Sequence, residues 1–170
     1  MDCRTAAIIP MNRTKQQPII VSGISGAGKT TFAQRAEKLF QYRVVNVGEI
    51  LRAELTKRSV TCVNNIAIGF QFFRHATMDE YLALLLTHTG EGVVLDGVRL
   101  VRGVEHIRQH WLQCIHVHCE REMKAASEDP FLLDSQYLRN MADIVIPYQK
   151  KISDLDVLIQ KEFKNWISHS

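Results

Sequence analysis

The sequence predicts an α/β fold, a three-layer sandwich in which a mainly parallel five-stranded sheet carries helices on both faces. Short apolar runs alternate with longer segments of helical periodicity, as is typical of strands joined by crossover helices. The 170 residues are enough for one well-packed domain and too few for two ordinary ones. A composition of 46% hydrophobic and 23% charged residues, with 9 glycines and 4 prolines, excludes collagen-like, low-complexity and wholly disordered chains.

Five short segments rich in isoleucine and valine predict the strands. They are residues 18–22, 42–47, 93–96, 114–118 and 143–147. The first run ends at a glycine-rich turn, the second is expected to stop at Gly48, and the third ends at Asp96.

Five further segments predict helices, because apolar side chains recur in them three or four residues apart. They are residues 31–40, 49–57, 78–87, 101–111 and 153–166. Residues 59–75 show no clear period and remain unassigned.

The charge balance and the absence of long apolar runs limit the partners. Twenty-one Lys and Arg residues against 18 Asp and Glu residues give a formal charge of +3. This charge suits an anionic ligand and is too weak to argue for nucleic acid. No run approaches the roughly 18 apolar residues that a membrane span needs. We expect no membrane or nucleic-acid partner, and either a monomer or a homodimer.

The cysteines and the N-terminal segment bear on the compartment. The chain has four cysteines, Cys3, Cys62, Cys114 and Cys119. They form no CxxC pair, which predicts reduced thiols in a cytoplasmic protein. Residues 1–17 are expected to form a flexible leader ahead of a single domain over residues 18–170. The apolar stretch at 6–9 is too short for a secretory signal, whereas organelle targeting stays open because Asp2 is the only acid in the leader.

Residues 23–30, GISGAGKT, form a complete GxxxxGK[ST] motif, which occurs by chance in about one chain of this size in a few hundred. The motif follows a predicted strand and opens a predicted helix, which favours a phosphate-binding loop in a P-loop NTPase fold. Glycines let the backbone turn tightly, so that successive N–H groups face one anion at a helix N-terminus. The predicted nucleotide-binding residues are Gly23, Ser25, Gly26, Ala27, Gly28, Lys29, Thr30 and Thr31.

Three side chains carry the chemistry expected at this loop. Lys29 would reach the terminal phosphates as a point charge, and the Thr30 hydroxyl would ligate Mg²⁺. Asp96 ends a buried strand, where an acid can hold a phosphate-bound Mg²⁺, so Thr30 and Asp96 are the expected metal ligands. An aspartate that ends a strand is also common as a helix cap or turn residue, and that alternative stays open.

With these motifs the chain resembles the nucleoside monophosphate kinase-like group of P-loop kinases, which includes adenylate, cytidylate, shikimate and dephospho-coenzyme A kinases. Residues 48–52, GEILR, are similar to the GDLLR segment of adenylate kinases. Residues 96–99, DGVR, are similar to the DGIR segment of archaeal dephospho-coenzyme A kinase-like proteins, and residues 142–146 to the last strand of the group. The resemblance covers about residues 18–160. Adenylate kinases differ in having Asp at the position of Glu49 and a proline before the second arginine.

The resemblance implies an acceptor site. Arg52 and Arg99 would bind the anionic group of the acceptor, and guanidinium groups match phosphate oxygens bidentately. The alternatives are a helix-surface charge for Arg52 and a salt-bridge partner at a helix start for Arg99. Glu49 would contact the acceptor or activate its hydroxyl, or would only favour the helix dipole. Residues 49–88 would supply the acceptor-binding helices, and Asp96 would receive the proton of an alcohol acceptor.

Residues 120–139 occupy the place of the lid of these kinases. Arg121 and Lys124 would bring positive charge over the transferring phosphoryl group, and Arg139 is a further lid candidate. The same run of charges is also typical of a solvated helix face. The predicted catalytic residues are Lys29, Asp96, Arg121 and Lys124.

The resemblance implies an ATP-dependent small-molecule kinase that binds ATP and Mg²⁺. It would transfer the terminal phosphoryl group to a nucleotide-like or other anionic acceptor. A nucleotide-binding regulatory protein or switch with little kinase turnover is the alternative, because the lid is thin in arginine.

Histidines and aromatics with suggestive spacing receive no ligand role. The pairs His106/His110 and His116/His118 have the spacing of metal ligands, but no third ligand is evident, so we interpret them as surface or packing residues. Three phenylalanines beside Arg74 are interpreted as core packing rather than as an acceptor-ring site. They are Phe70, Phe72 and Phe73.

Overall fold

The computed structural model describes residues 16–61, 68–121, 132–149 and 151–167. Within these ranges the sheet has five strands, all parallel, in the order β2-β3-β1-β4-β5. The strands are β1 (Ile19–Ser22), β2 (Arg43–Asn46), β3 (Val93–Asp96), β4 (Ile115–Cys119) and β5 (Ile144–Ile146). The predicted fold is confirmed, and the described sheet is parallel throughout.

Seven helices accompany the strands in the described ranges. They are α1 (Lys29–Phe40), α2 (Val47–Lys57), α3 (Ile68–His75), α4 (Met78–His88), α5 (Val101–His110), α6 (Leu132–Met141) and α7 (Ile152–Ile167). The sequence predicts neither α3 nor α6. Helix α3 has only 8 residues, too few to show the helical period clearly, and α6 lies in the segment assigned to a lid.

Two predicted boundaries next to the glycine-rich loop and β2 are wrong, for local reasons. Helix α1 begins at Lys29 rather than residue 31, directly after Gly28 in the left-handed conformation. Helix α2 begins at Val47 rather than at residue 49, because the Asn46 side chain caps it by accepting a hydrogen bond from the Glu49 N–H. Gly48 therefore lies inside the helix and does not end the strand.

The sheet separates two hydrophobic clusters. Ile19 and Val21 of β1 point to one face, where Phe32 of α1 meets Phe163 of α7 with ring centroids 5.8 Å apart. Ile20 points to the other face, towards helices α2 to α6. Each fully buried aliphatic or aromatic side chain contributes about 1.5–3 kcal/mol to folding. The two clusters hold the strand ends, and the loops that follow them, in fixed positions.

For the cysteines and the N-terminal leader, the structure describes only some of the residues concerned. Cys114 and Cys119 are free, buried thiols, whereas Cys3 and Cys62 lie outside the described residues. Most of the predicted leader, residues 1–15, also lies outside them. Gln16 is described, and its carbonyl accepts a 2.8 Å hydrogen bond from the Gly92 N–H. In the part that the structure describes, no helix has the length and apolar character to cross a membrane.

A buried Ser–His–His cluster lies beneath the start of the glycine-rich loop. The Ser22 hydroxyl is 2.7 Å from His116 Nε2 and 2.9 Å from His118 Nδ1, and all three side chains are buried. Ser22 has one hydroxyl proton, so it donates to at most one of the two rings and accepts from at least one of them. Among the described residues, no group of three or more His, Cys, Asp or Glu side chains forms a metal site.

This cluster predicts acid sensitivity of the fold. Burial lowers the pKa of His116 and of His118 to about 4, against about 6.5 in the unfolded chain. The unfolded state therefore binds more protons between these values, and the stability present above about pH 6.5 is lost as the pH falls towards 4. We expect urea denaturation to give a free energy of unfolding that declines by a few kcal/mol over this window.

Two variants test whether the acid sensitivity of the fold comes from the Ser–His–His cluster. His116→Gln keeps an amide that can bond to Ser22 and removes one titrating ring, so its stability should vary less with pH. The exposed His110→Asn serves as a control and should keep the acid sensitivity of the wild type. An unchanged pH dependence in His116→Gln would contradict the explanation.

Candidate active site

The glycine-rich loop connects β1 to α1, and its glycines adopt positive φ angles that favour glycine. The φ angles are 138° at Gly23, 73° at Gly26 and 87° at Gly28. A Cβ atom on Gly23 would lie 2.3 Å from the carbonyl oxygen of Cys119, at the end of β4. The loop can therefore pass this close to the neighbouring strand only with glycine at position 23.

Lys29 and Thr30 begin α1 directly after the loop. The Lys29 ammonium group donates a 2.7 Å hydrogen bond to the carbonyl oxygen of Ile24, and the side chain is 9% exposed. The Thr30 hydroxyl donates a 2.7 Å hydrogen bond to Oδ2 of Asp96. The two side chains place a cation and a hydroxyl at the positively polarised N-terminus of α1.

Asp96 is the last residue of β3 and is only 1% exposed. Its Oδ2 atom also accepts a 3.0 Å hydrogen bond from the Asn46 amide, whereas its buried Oδ1 atom has no hydrogen-bond partner among the described residues. Buried acceptors without a partner are rare in folded proteins. A carboxylate oxygen beside the hydroxyl of Thr30 is a donor set that Mg²⁺ prefers, so these residues fit the metal ion expected at a phosphate loop.

Eight of the predicted site residues line one cavity of about 400 Å³. They are Ser25, Gly26, Lys29, Thr30, Glu49, Arg52, Asp96 and Arg99. The loop and the end of β3 form one side, and α2 together with the segment after β3 brings the two arginines to the same space. The structure thus joins the predicted phosphate and acceptor residues.

Apolar and aromatic side chains line the rest of the cavity. Phe73 of α3 and Tyr81 of α4 face it, and their ring centroids are 5.3 Å apart. Tyr81 is buried, and burial raises the pKa of its phenol above the usual range. Phe72 lies in the core as expected, whereas Phe73 also lines the cavity and Phe70 is 48% exposed. The cavity combines two guanidinium groups with aromatic walls.

The remaining predicted residues lie at the edge of the site or outside the described chain. Arg121 reaches the loop, with Nη1 3.5 Å from the Gly26 carbonyl oxygen and the guanidinium carbon 5.9 Å from the ring centroid of Tyr148. Arg139 pairs with Glu120 at 2.7 Å and does not line the cavity. Lys124 lies outside the described residues. The other loop and helix residues do not line the cavity; they are Gly23, Ala27, Gly28 and Thr31.

Sequence reasoning missed Asn46 and Tyr81 as residues of this site, and it weighed Phe73 as an acceptor-ring residue but assigned it to core packing. The Asn46 signal is present in the sequence, since Asn followed three residues later by Glu is a helix-capping pattern. Tyr81 carries no such signal, and the run of phenylalanines does not show which ring faces the cavity, because only the packing of α3 against α2 and α4 decides this.

A glycine-rich loop between β1 and α1, an acid at the end of β3 and an all-parallel sheet define a P-loop domain. The profile of one sequence family, described as AAA domain (AAA_17), matches residues 22–122. The chain belongs to this family. No curated protein sequence matches the chain.

Solved structures with similar folds include several kinases. The shikimate kinase of Aquifex aeolicus has 14% identity and a TM-score of 0.59, over 88% of this chain and 98% of that chain. The shikimate kinase of Acinetobacter baumannii in complex with shikimate has 18% identity and a TM-score of 0.58, over 88% and 94%. A gluconokinase from Sinorhizobium meliloti has 9% identity and a TM-score of 0.56, over 92% and 97%. At these identities, the likeness shows that the chain has the fold of these P-loop kinases.

Proposed function

We propose that the protein is an ATP-dependent small-molecule kinase that transfers the terminal phosphoryl group of ATP to a nucleotide-like or other anionic acceptor. The observation that carries this proposal is one cavity that is lined both by the phosphate loop with Lys29 and by Arg52 and Arg99. We assign the loop to a donor end and the two arginines to an acceptor end. A protein that only binds a nucleotide needs the first end alone.

The donor end would hold the phosphates of ATP. The phosphates would be bound by three positively polarised groups: the backbone N–H groups of the loop, the N-terminus of α1 and the Lys29 ammonium group. Thr30 and Oδ1 of Asp96 would hold Mg²⁺, which supplies charge neutralisation to the phosphate oxygens when bound. Arg121, and Lys124 from the predicted lid, would add positive charge over the transferring group and exclude water.

The acceptor end combines anion recognition with an apolar surface. Arg52 and Arg99 would bind a phosphate or carboxylate, and Phe73 and Tyr81 would contact a ring or another apolar part of the acceptor. A nucleoside monophosphate or a dephospho-coenzyme A-like molecule has both features. Shikimate, which the similar kinase from Acinetobacter baumannii binds, also has an anionic group on a small ring.

The transfer itself needs little covalent chemistry from the protein. An acceptor oxygen would form a bond to the terminal phosphorus while the bond to the bridging oxygen breaks and ADP leaves. An alcohol acceptor also loses a proton, and the two carboxylates that line the cavity, those of Glu49 and Asp96, are the candidates to receive it. Asp96 would do so through an oxygen that does not hold Mg²⁺. The contribution of this chain is to orient the two substrates and to place cations around the charge in transfer.

Arg52→Ala tests the acceptor end. Loss of a charged hydrogen-bond donor to an anionic acceptor should lower kcat/KM for the acceptor about 10- to 100-fold. The Kd for ATP should stay near the wild-type value, because Arg52 lies on α2, outside the phosphate loop, and is assigned to the acceptor end. Steady-state kinetics and ATP titration measure the two effects.

Arg102→Ala provides the control for Arg52, since Arg102 is exposed on α5 and does not line the cavity. Its kinetics should match those of the wild type. An Arg52→Ala enzyme with unchanged kcat/KM for the acceptor would contradict the assignment of this end.

A further inference from the structure

Asn46 lies at the junction of two elements of the site. Its Oδ1 atom accepts a 3.1 Å hydrogen bond from the Glu49 N–H and caps α2. Its Nδ2 atom donates a 3.0 Å hydrogen bond to Oδ2 of Asp96 at the end of β3. The parallel pairing of β2 with β3 places Asn46 and Asp96 side by side. One amide group therefore joins the predicted acceptor helix to the predicted metal-binding carboxylate.

The hydrogen bond from Asn46 falls on the same oxygen of Asp96 that Thr30 contacts. Oδ2 accepts hydrogen bonds from both Thr30 and Asn46, and Oδ1 is buried and has no partner in the part of the chain that the structure describes. A carboxylate held by one donor can turn about its last torsion angle, which has a broad, two-fold energy profile. Two donors on the same oxygen oppose this rotation. The free oxygen consequently keeps one direction.

We propose that Asn46 is a positioning residue, which orients Asp96 towards Mg²⁺ and fixes α2 relative to it. This inference rests on the proposed kinase function. The amide is planar, and its oxygen and nitrogen point in different directions, so a movement that improves one hydrogen bond strains the other. Glu49 and Arg52 lie in the first two turns of α2, and the cap thus fixes their distance from Asp96.

The residue type at position 46 follows from this double contact. Serine caps a helix about as well as asparagine, but its single short hydroxyl cannot both accept from Glu49 and reach Asp96 as a donor. Aspartate has the shape and the capping oxygen, but it presents a negative charge to Oδ2 of Asp96. Asparagine supplies an acceptor and a donor at once.

Asn46→Ser separates the cap from the positioning contact. We expect its melting temperature to stay close to that of the wild type, while kcat falls about 10- to 100-fold, as is typical when a group that orients a metal ligand is lost. Independently of turnover, the gain in ATP affinity on adding Mg²⁺ should fall about tenfold, and the affinity for ATP in EDTA should not change. Calorimetric titrations of ATP with and without Mg²⁺ measure this gain.

Thr77→Ala is the matched control, because Thr77 caps α4 by accepting a 3.2 Å hydrogen bond from the Glu80 N–H, away from the cavity. Loss of this cap should lower the melting temperature and leave the Mg²⁺ dependence as in the wild type. If Asn46→Ser does not fold, Asn46→Asp replaces it, since it keeps the shape and the capping oxygen and exchanges the amide donor for a negatively charged oxygen; its kcat should also fall.

The outcomes separate the two proposals. Wild-type kcat and a wild-type gain from Mg²⁺ in Asn46→Ser would show that Asn46 is a helix cap only, and would overturn the inference. A wild type that binds ATP more tightly with Mg²⁺ but phosphorylates no acceptor would refute the kinase proposal alone. The positioning role would then be decided by the Mg²⁺ dependence of ATP binding in Asn46→Ser.

Discussion

Lys29→Ala is expected to lower the rate of phosphoryl transfer by at least about 100-fold, the effect of removing one group that stabilises the transition-state charge. Lys29 is 9% exposed and lines the cavity, where its ammonium group lies 2.7 Å from the carbonyl oxygen of Ile24. A charge in such a protected position interacts more strongly with phosphate than an exposed one. Single-turnover measurement of ADP formation gives the rate.

Lys38→Ala is the matched control for this variant, since Lys38 lies on the same helix but is exposed and away from the cavity. It should turn over ATP at the wild-type rate. A Lys29→Ala protein that retains wild-type transfer would show that the glycine-rich loop does not hold the transferring phosphoryl group.

Gly23→Ala is expected to destabilise the fold by about 3 kcal/mol or more, because backbone strain and overpacking each cost about 1–3 kcal/mol. The added Cβ would lie 2.3 Å from the Cys119 carbonyl oxygen, and φ at this position is 138°. Relief of the contact requires β1 and β4 to separate at the base of the loop. Nucleotide binding should therefore be lost along with stability.

Gly97→Ala separates the backbone strain of a positive φ from the steric contact with Cys119. Gly97 also has a positive φ, 96°, but its Cβ would meet no atom of the described residues within 4 Å. Gly97→Ala should lower the free energy of unfolding only by the strain of the left-handed conformation, about 1–2 kcal/mol. Urea denaturation of both variants measures the difference, and equal losses of stability would show that the contact with Cys119 is unimportant.

The parts of the site that follow from local sequence could be predicted. The phosphate loop is a contiguous motif, so spacing alone identifies Lys29 and Thr30. Asp96 follows from its place at the end of an apolar strand, because parallel strands bring their carboxyl ends to one edge of the sheet. The cavity contains both groups, together with Arg52 and Arg99.

The parts that depend on long-range pairing could not be predicted. Asn46 meets Asp96 only because β2 pairs with β3, and the two residues are 50 positions apart in the chain. Likewise, Ser22 joins His116 and His118 because β1 pairs with β4. The spacing of the two histidines predicts that they share one face of a strand. The buried Ser22 hydroxyl between their rings can be predicted only if the order of the strands in the sheet is known.

The most direct test of the central claim is ATP turnover with Mg²⁺ across a panel of acceptors, with Lys29→Ala as the blank. The panel contains nucleoside monophosphates, nucleosides, dephospho-coenzyme A and shikimate-like alcohols. We predict ADP release that depends on one class of acceptor, equals the phosphorylated product in amount and is absent from the blank. Tight binding of ATP without acceptor-dependent release on any member would contradict the kinase account and favour a nucleotide-binding regulatory protein.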